Sequence, residues 1–280
     1  MSATWNGCAP PEATKITPRG WLRVLRRGLP MALIIFGGAG LLVIMRLIER
    51  PLFGLHRPFT PYLVRVASAA ALRCLGLRRQ HTGSPMTAQG AVVANHSTWL
   101  DIFVLNAGDR VYFLSKDDVA GWPGIGWLAK IVGTVFIARD PRRAKEQAAM
   151  MQQRLQAGHR LLFFPEGTST DNQRVLPFKT SLFAAFQADG LRQSMYLQPV
   201  SLVYTAPKGA DARYYGWWGG MDFASNLIML LATPRHGKVN VTYHPPVRVA
   251  DFADRKALAS ACQQAVQVGF DAQRKSDGAV

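Results

Sequence analysis

The sequence is poor in the residues that build disulfide frameworks and metal sites. Only 3 of its 280 residues are cysteines. Cys8, Cys74 and Cys262 lie far apart and are odd in number, so they imply no disulfide framework. The 6 histidines follow neither the H-x-x-x-H spacing nor the Cys/His spacing of zinc sites. We therefore predict a protein without a metal site and without a bound cofactor.

Several motifs of well-known enzyme classes are also missing. The chain contains no G-x-S-x-G, no G-x-G-x-x-G and no phosphate-loop lysine motif. Their absence counts against a serine hydrolase, a dinucleotide-dependent enzyme and a kinase. The apolar content of 49% excludes an intrinsically disordered protein. A length of 280 residues is enough for one sizeable domain with an appendage.

Acidic residues are scarce, since 17 of them face 33 basic residues and leave a formal net charge of +16. Such a charge fits either a nucleic acid or an anionic membrane surface. No nucleic-acid recognition motif is present. Many arginines of the first third instead flank or interrupt apolar segments: Arg19, Arg23, Arg26, Arg27, Arg46, Arg50, Arg57, Arg65, Arg73, Arg78 and Arg79. This placement favours an anionic membrane surface as the partner and argues against a nucleic acid.

The apolar segments predict a membrane anchor near the N-terminus. Leu29–Met45 contains 17 residues without a charge, the lower limit for crossing a bilayer. Pro58–Leu77 has the pattern of an interfacial amphipathic helix. We therefore predict a basic, flexible N-terminus over 1–28 and a membrane-anchoring helical segment over 29–79. The charge bias weakly places the N-terminus in the cytoplasm, and the anchor either spans the bilayer or enters and returns as a hairpin.

The remaining chain, 80–280, alternates strand-like and helix-like segments, which predicts a mixed α/β sheet flanked by helices. Residues 80–90 have the composition of a turn-rich hairpin or linker. The predicted helices are Trp99–Ala107, Pro141–Ala157, Leu182–Asp189 and Ala250–Arg274. The predicted strands are Ala91–Ala94, Val111–Leu114, Val135–Ile137, Leu161–Phe164, Val200–Tyr204 and Val239–Tyr243.

His96 and Asp101 are the leading candidates for catalysis. They follow the apolar run Ala91–Ala94, and Ser97 or Thr98 is expected to cap the next helix. On one continuous helix the two side chains would lie about 140° apart. A turn between strand and helix would let the carboxylate hold one imidazole nitrogen and leave the other free to accept a proton.

A second polar segment, Phe163–Thr168, also follows a strand-like run and carries Glu166. Polar groups at the ends of two strands are typical of the functional rim of an open α/β sheet. Asn95-His96 with Asp101 resembles the H-x4-D signature of the glycerolipid acyltransferases, the 1-acylglycerol-3-phosphate acyltransferase family. The second, third and fourth blocks of that family resemble Gly133–Arg139, Phe164–Thr168 and Gln198–Ser201. All four blocks lie in family order within the motif core, 91–207.

The resemblance implies transfer of an acyl chain from a thioester to a hydroxyl. His96 would be the general base, Asp101 would orient it, and amides at the start of the Trp99 helix and around Gly167 are candidate oxyanion donors. Glu166 would contact the glycerol part of the acceptor and Arg139 its phosphate. The other residues that we expect to contact substrate are Asn95, Lys116, Gly167, Thr168, Arg174 and Lys179.

One position departs from the family pattern. The third block usually continues Gly-Thr-Arg-Ser, but this chain has Ser169 where the arginine would grip a phosphate. Lys116, Arg174 or Lys179 is left to supply the charge. The expected acceptor is 1-acyl-sn-glycerol-3-phosphate, which gives phosphatidic acid, and a lyso-ornithine lipid without that phosphate is the alternative.

The sequence therefore predicts a membrane-bound acyltransferase with acyl carrier protein or coenzyme A as the carrier of the acyl donor. We expect it at the inner membrane with the active site facing the cytoplasm. A catalytically inactive membrane scaffold is a remote alternative, and the presence of both His96 and Asp101 speaks against it.

Overall fold

A computed structural model describes residues 5–11, 15–138, 140–188, 190–276 and 278. It contains a mixed sheet flanked by helices, which confirms the predicted fold class. The strands are β1 (Arg78–Thr82), β2 (Gly90–Ala94), β3 (Val111–Lys116), β4 (Val135–Ile137), β5 (Arg160–Phe163), β6 (Tyr196–Thr205), β7 (Lys238–Tyr243) and β8 (Val247–Arg248). The helices are α1 (Pro18–Phe53), α2 (Thr60–Leu75), α3 (Leu100–Gly108), α4 (Ile125–Val132), α5 (Ala144–Gln156), α6 (Phe223–Ala232) and α7 (Arg255–Ser276).

The strand order is β1-β7-β6-β2-β5-β3-β4, and β8 pairs with β6. Strands β6, β2, β5, β3 and β4 run parallel, whereas β7 is antiparallel to β6. Parallel strands bring their carboxyl ends to one edge of the sheet. The loops that follow β2 and β5 therefore meet at this carboxyl edge.

The alternation of side chains along β2 divides the hydrophobic core between the two faces of the sheet. Val92 and Ala94 point to the face covered by α1, α2, α3 and α6. Ala91 and Val93 point to the face that also contains residues of α5 and α7, including Met151 and Val266. Both faces are buried, as expected for parallel strands.

Helix α1 is longer than the sequence pattern predicted. Thr17 accepts a hydrogen bond from the Gly20 amide (3.1 Å), and Pro18 occupies the first helical turn. These are strong helix-start signals. The predicted boundary between 28 and 29 is therefore wrong, because it falls inside a continuous helix. A run of uncharged residues marks only the apolar part of a helix, and arginines are good helix formers on either side of it.

Helices α1 and α2 pack against each other as a helical hairpin. The Glu49 carboxylate, buried near the end of α1, caps the start of α2: Oε1 accepts from the amides of Phe59 (2.7 Å) and Thr60 (2.9 Å), and Oε2 from the Thr60 hydroxyl (2.7 Å). A carboxylate at a helix N-terminus is favoured by the helix dipole. This contact fixes the hairpin turn.

Several smaller expectations also differ from the structure. Residues 78–82 form β1 on one side of β7, so the predicted boundary at residue 80 and the linker prediction for 80–90 are wrong in this part. Leu182–Gln187 is a 3-10 helix, and Asp189, the end of the helix predicted there, lies outside the described residues. The last helix begins at Arg255 rather than Ala250 because a short 3-10 turn, Val249–Asp251, precedes it.

Candidate active site

The loop between β2 and α3 brings His96 and Asp101 into direct contact. The distance from His96 Nδ1 to Asp101 Oδ2 is 2.8 Å. Asp101 lies in the first turn of α3, and the chain bends between the strand and this helix. The predicted contact is confirmed. Because an ionised carboxylate only accepts hydrogen bonds, Nδ1 carries the proton and Nε2 is left as an acceptor.

Asp101 is fully buried, and its carboxylate is surrounded by donors. Oδ2 also accepts from the amides of Ser97 (2.8 Å) and Thr98 (3.1 Å), and Oδ1 accepts from the Tyr204 hydroxyl (2.6 Å). Burial, followed by the Asp101 charge, raises the pKa of Tyr204 well above its usual value, so this hydroxyl stays protonated and donates. Four donors fix the carboxylate in place.

The predicted helix cap at Ser97 or Thr98 is wrong. The residue preceding α3 is Trp99, and its side chain makes no capping hydrogen bond. The hydroxyls of Ser97 and Thr98 make no hydrogen bond within the described part of the chain. Their amides instead bond to Asp101, three or four residues later, so a carboxylate in the first turn of α3 holds the loop that precedes the helix.

The His96 ring lies flat against Phe164, with ring centroids 4.0 Å apart and planes 10° from parallel. Its side chain is 19% exposed. Among the described residues no hydrogen bond is made to Nε2. The nitrogen that could accept a proton is therefore the one that stays accessible, while the ring is held by Phe164 on one face and by Asp101 at Nδ1.

Glu166 is buried and holds the loop that contains His96. Its side chain is only 2% exposed; Oε1 accepts from the His96 amide (2.7 Å) and Oε2 from the Leu176 amide (2.7 Å). Both oxygens bond to the main chain in this structure, and the expected contact between Glu166 and the acceptor stays a prediction. Burial raises the pKa of this carboxyl to about 8, although the two amides lower it.

Asn95 is likewise buried, and its side chain pairs with a strand. Nδ2 donates to the Leu202 carbonyl (2.9 Å), and Oδ1 accepts from the Leu202 amide (2.7 Å). Asn172 makes the same pair of bonds to Tyr204, two residues further along β6 (2.7 and 3.1 Å). Since β2 pairs with β6 only as far as Val200, the two asparagines continue the ladder. Asn95 therefore has a structural role in this structure, and the substrate contact expected of it stays a prediction.

The loop after β5 carries two of the predicted basic residues, Arg174 and Lys179. Gly167 has φ +72°, and the Lys179 ammonium lies 2.8 Å from the position that a Cβ atom on Gly167 would take. An alanine at this position would be strained and would displace the lysine. Lys179 is exposed, and its ammonium lies beside the Gly167 turn of the third family block, Phe164–Thr168.

The remaining predicted cations are less directly placed. Arg174 forms an ion pair with the buried Asp171 (3.2 Å), which compensates part of its charge. Lys116 ends β3, which is separated from β2 by β5, although its end lies at the same edge of the sheet. Arg139 lies outside the described residues, so its predicted contact with a phosphate stays a prediction.

Ser169, the residue that replaces the family arginine, does not point into open space. It is buried, and its hydroxyl donates to the Trp217 carbonyl. The Trp217 amide in turn donates to the Ser97 carbonyl (2.9 Å). The segment around Trp217 therefore joins the first and third family blocks. The hydrogen bond to its carbonyl requires a short side chain at position 169.

A short N-terminal segment, 5–9, lies against the third motif. The Trp5 amide donates to Thr168 Oγ1 (3.2 Å), and the Arg174 guanidinium stacks over the Trp5 ring at 5.1 Å. The Cys8 carbonyl accepts from the Trp218 indole (2.9 Å). These contacts place the segment against the domain, while the predicted flexibility of the N-terminus stays a prediction. Thr168 has one contact already supplied by the protein itself.

Three of the amides expected to stabilise an oxyanion are already engaged. Ser97 and Thr98 donate to Asp101, and Gly167 donates to the Phe164 carbonyl (3.1 Å). These N–H groups form hydrogen bonds that hold the loops in shape. Within the described residues no group of three or more His, Cys, Asp or Glu side chains could hold a metal ion, and the absence of a metal stays a prediction.

Tyr204 and Asn172 were missed by the sequence reasoning, and each carries a signal that could have been used. A tyrosine inside a buried apolar strand must find a partner for its hydroxyl. Asn172 follows the third motif and has φ 61°, a conformation that asparagine tolerates better than most residues. Neither signal names the partner, because the partner comes from a distant part of the chain.

Comparison with known proteins agrees with this geometry. A family model described as Acyltransferase matches residues 78–203. The chain is 54% identical over 266 residues to the lyso-ornithine lipid O-acyltransferase of Rhodobacter capsulatus, covering 95% of this chain and 96% of that protein. It is 40% identical over 93 residues to the 1-acyl-sn-glycerol-3-phosphate acyltransferase of Neisseria gonorrhoeae, covering 33% of this chain and 36% of that protein.

A solved structure has the same fold. The crystal structure of the 1-acyl-sn-glycerophosphate acyltransferase PlsC from Thermotoga maritima matches with a TM-score of 0.66 and 22% sequence identity. The match covers 91% of this chain and 96% of that one. The likeness therefore includes the helical hairpin as well as the α/β sheet.

Proposed function

This chain belongs to the acyltransferase family and is an O-acyltransferase that acts on lysolipids, and from this premise we propose that its acceptor is a lyso-ornithine lipid. The acyl chain would pass from a carrier thioester to the free hydroxyl of that lipid. The observation that carries the catalytic part of the proposal is the 2.8 Å contact between His96 Nδ1 and Asp101 Oδ2, with Nε2 left accessible.

In the proposed reaction the acceptor oxygen attacks the carbonyl carbon of the thioester while His96 Nε2 takes the hydroxyl proton. Asp101 holds the ring in the required tautomer and stabilises the imidazolium that forms. The tetrahedral intermediate then expels the thiolate, and the thiolate takes the proton from Nε2 and leaves as a thiol. No protein nucleophile and no cofactor is needed in this scheme.

Two observations support the aminolipid over the phosphate-bearing acceptor. The 54% identical relative covers nearly the whole chain, whereas the Neisseria relative matches a third of it. At the site, Ser169 supplies no positive charge, and the charge of Arg174 is partly compensated by Asp171. In the described loop after β5, Lys179 is the cation that no carboxylate compensates, and one ammonium suits the single carboxylate of an ornithine headgroup better than a phosphate dianion.

1-Acyl-sn-glycerol-3-phosphate remains the second candidate acceptor. It is favoured by the presence of two cations, Lys179 and Arg174, around one turn of the third motif. Phosphate oxygens are bound well by such groups, and Arg174 could exchange its carboxylate partner for a phosphate. The donor carrier, acyl carrier protein or coenzyme A, is a separate question that the same assay answers.

The family and the apolar helix α1 associate the chain with membranes, and we propose that it lies along the inner membrane with its site facing the cytoplasm. Helix α1 is long and apolar enough to cross a bilayer. Near its start Arg23 donates to the end of α6 (Ala232 carbonyl, 2.7 Å), and near its end Arg46 donates to α4 (Ile131 carbonyl, 2.9 Å). About 35 Å of the helix is therefore held along the domain.

This attachment favours a helix that lies on the membrane rather than one that crosses it. The outer face of α1 and α2 exposes large apolar side chains, including Leu25, Leu33, Ile44 and Leu47. Such a surface gains free energy when it enters the lipid boundary. A crossing helix would draw α4 and α6 into the bilayer with it.

The test is a matrix of labelled acyl-acyl carrier protein and acyl-coenzyme A against lyso-ornithine lipid and 1-acyl-sn-glycerol-3-phosphate. We expect the aminolipid to be the better acceptor and His96→Ala to lower transfer by roughly 10²–10⁴-fold. His56→Ala removes an exposed histidine from the hairpin turn and serves as the matched control. Preference for the phosphate acceptor would overturn the proposed substrate, and normal transfer by His96→Ala would overturn the proposed base.

A further inference from the structure

The opposite edge of the sheet, where β2, β3 and β5 begin, borders a cavity of about 470 Å³. Its lining comes from α2, β1, the segment 85–87, the end of α3, the turn before β3, the first residue of β5 and the last residue of β7. Strand β2, five residues long, separates this edge from the His96 loop, a distance of about 16 Å. The cavity is therefore distinct from the catalytic centre.

The lining carries far more positive than negative charge. Arg65, Arg79, Arg110 and Arg160 line the cavity together with one carboxylate, Asp109. Arg160 Nη1 donates to both oxygens of Asp109 at 2.7 Å, so this pair is neutral as a whole. Three guanidinium groups remain, and like charges around one cavity repel unless an anion joins them.

Two of these arginines are held in place by the fold. Arg79 donates from Nε to the Val104 carbonyl (3.0 Å) and from Nη2 to the Tyr243 hydroxyl (2.8 Å). Its guanidinium occupies the space beside Gly108, where any Cβ atom would collide with it. Arg110 donates to the Tyr62 hydroxyl (2.8 Å) and stacks over the Tyr62 ring. Fixed guanidinium groups bind an oxyanion at a lower entropic cost.

Arg65 is the free member of the set. It is exposed on α2 and makes no hydrogen bond or ion pair to a described residue. Its neighbours on the helix, Tyr62 and Val66, are large exposed hydrophobic residues that continue the apolar outer face of the hairpin. A lipid chain could lie on this face while its headgroup reaches the arginines.

We propose that this cavity is a binding site for a phosphate group, separate from the acyl acceptor site. Arginine forks match the geometry of phosphate oxygens, and the surplus of guanidinium groups suits an anion. The phosphate comes either from the headgroup of an anionic membrane lipid, which the adjoining apolar face favours, or from a phosphate ester in solution.

The test compares Arg65→Gln with Arg73→Gln in the full-length protein. Both substitutions remove one positive charge from α2, but Arg73 does not line the cavity. One arm measures binding of inorganic phosphate and glycerol 3-phosphate by calorimetry. The other measures cosedimentation with phosphatidylcholine vesicles with and without phosphatidylglycerol. We expect Arg65→Gln to weaken binding roughly tenfold and Arg73→Gln to leave it nearly unchanged.

The two arms separate the sources of the phosphate. A selective loss with soluble phosphates assigns the site to an ester in solution, and a selective loss only with phosphatidylglycerol assigns it to a lipid headgroup. Equal behaviour of the two variants in both arms would overturn the proposal. Arg110→Gln provides a second variant, and unchanged melting temperatures without ligand show that each protein is folded.

Discussion

The two edges of the sheet differ in how completely their charged groups are paired. At the carboxyl edge, four donors surround Asp101 and two amides bond to Glu166. The accessible groups at this edge are His96 Nε2 and the exposed ammonium of Lys179. At the amino edge, where β2, β3 and β5 begin, guanidinium groups outnumber carboxylates around an open cavity. Pairing of both carboxylates fixes the geometry that a proton transfer requires, whereas a surplus of guanidinium groups leaves charge available for an anion.

The difference also separates two uses of buried polar groups. The side-chain amides of Asn95 and Asn172 use both their oxygen and their nitrogen to pair with the main chain of Leu202 and Tyr204 on β6. A buried network of this kind holds its shape only when every member is satisfied. The carboxyl edge should therefore respond steeply to single substitutions, and the amino edge should respond mildly.

Replacing Asp101 with asparagine is expected to have the largest effect. The single oxygen of an amide cannot accept from four donors. The NH2 group cannot accept from His96 Nδ1–H, so the tautomer of His96 is no longer fixed. We expect transfer to fall by roughly 10³-fold or more, measured as initial rates with labelled acyl donor. Asp109→Asn, at the amino edge, is the matched control and should retain most activity. Similar losses in both variants would contradict the proposed contrast between the edges.

Much of the fold could be predicted because apolar runs and turn residues carry its signal. The strands β2, β3, β4, β5 and β7 lie where the pattern placed them. Strand β1 was missed because Arg78–Thr82 contains no apolar residue and pairs only with β7. Its position depends on a partner that is 160 residues away in the chain. Such a strand has no local signature.

The site could be predicted as a set of residues but not as a set of roles. Asn95 and Glu166 belong to the motifs, yet a polar residue in a motif has the same letter whether it contacts a substrate or the backbone. The contacts that decide come from Leu202 and Leu176, which no spacing rule connects to them. The role of Ser169 could not be predicted either, because its small size is explained by its hydrogen bond to the Trp217 carbonyl.

The raised pKa of Glu166 predicts an intermediate effect on stability. The pKa of this carboxyl is 4.5 in the unfolded chain and about 8 in the folded protein. Between these values the unfolded chain binds fewer protons, so the free energy of unfolding should fall as the pH rises and level off above about 8. The change could reach a few kcal/mol, at about 1.4 kcal/mol per unit of pKa shift.

Urea unfolding of the wild type and Glu166→Gln at about pH 5 and about pH 9 measures this contribution. The pH dependence should be smaller in Glu166→Gln because the amide does not ionise. Glu146→Gln is the control, since Glu146 is an exposed residue of α5. If Glu166→Gln and the wild type lose stability equally over this range, the carboxylate is ionised in the folded protein throughout.

Tyr204→Phe should have the smallest effect and is the finest probe of the paired edge. Without the hydroxyl, Asp101 keeps three of its four donors, so its carboxylate is held less firmly against His96 Nδ1. We expect kcat to fall a few-fold with KM nearly unchanged, measured as initial rates over a range of acceptor concentrations. Tyr215→Phe removes a neighbouring hydroxyl that bonds His236 instead of Asp101, and it should leave kcat unchanged. A purely structural role for Tyr204 would lower the melting temperature while kcat of the folded protein stays at the wild-type value, and that result would remove Tyr204 from the positioning of His96.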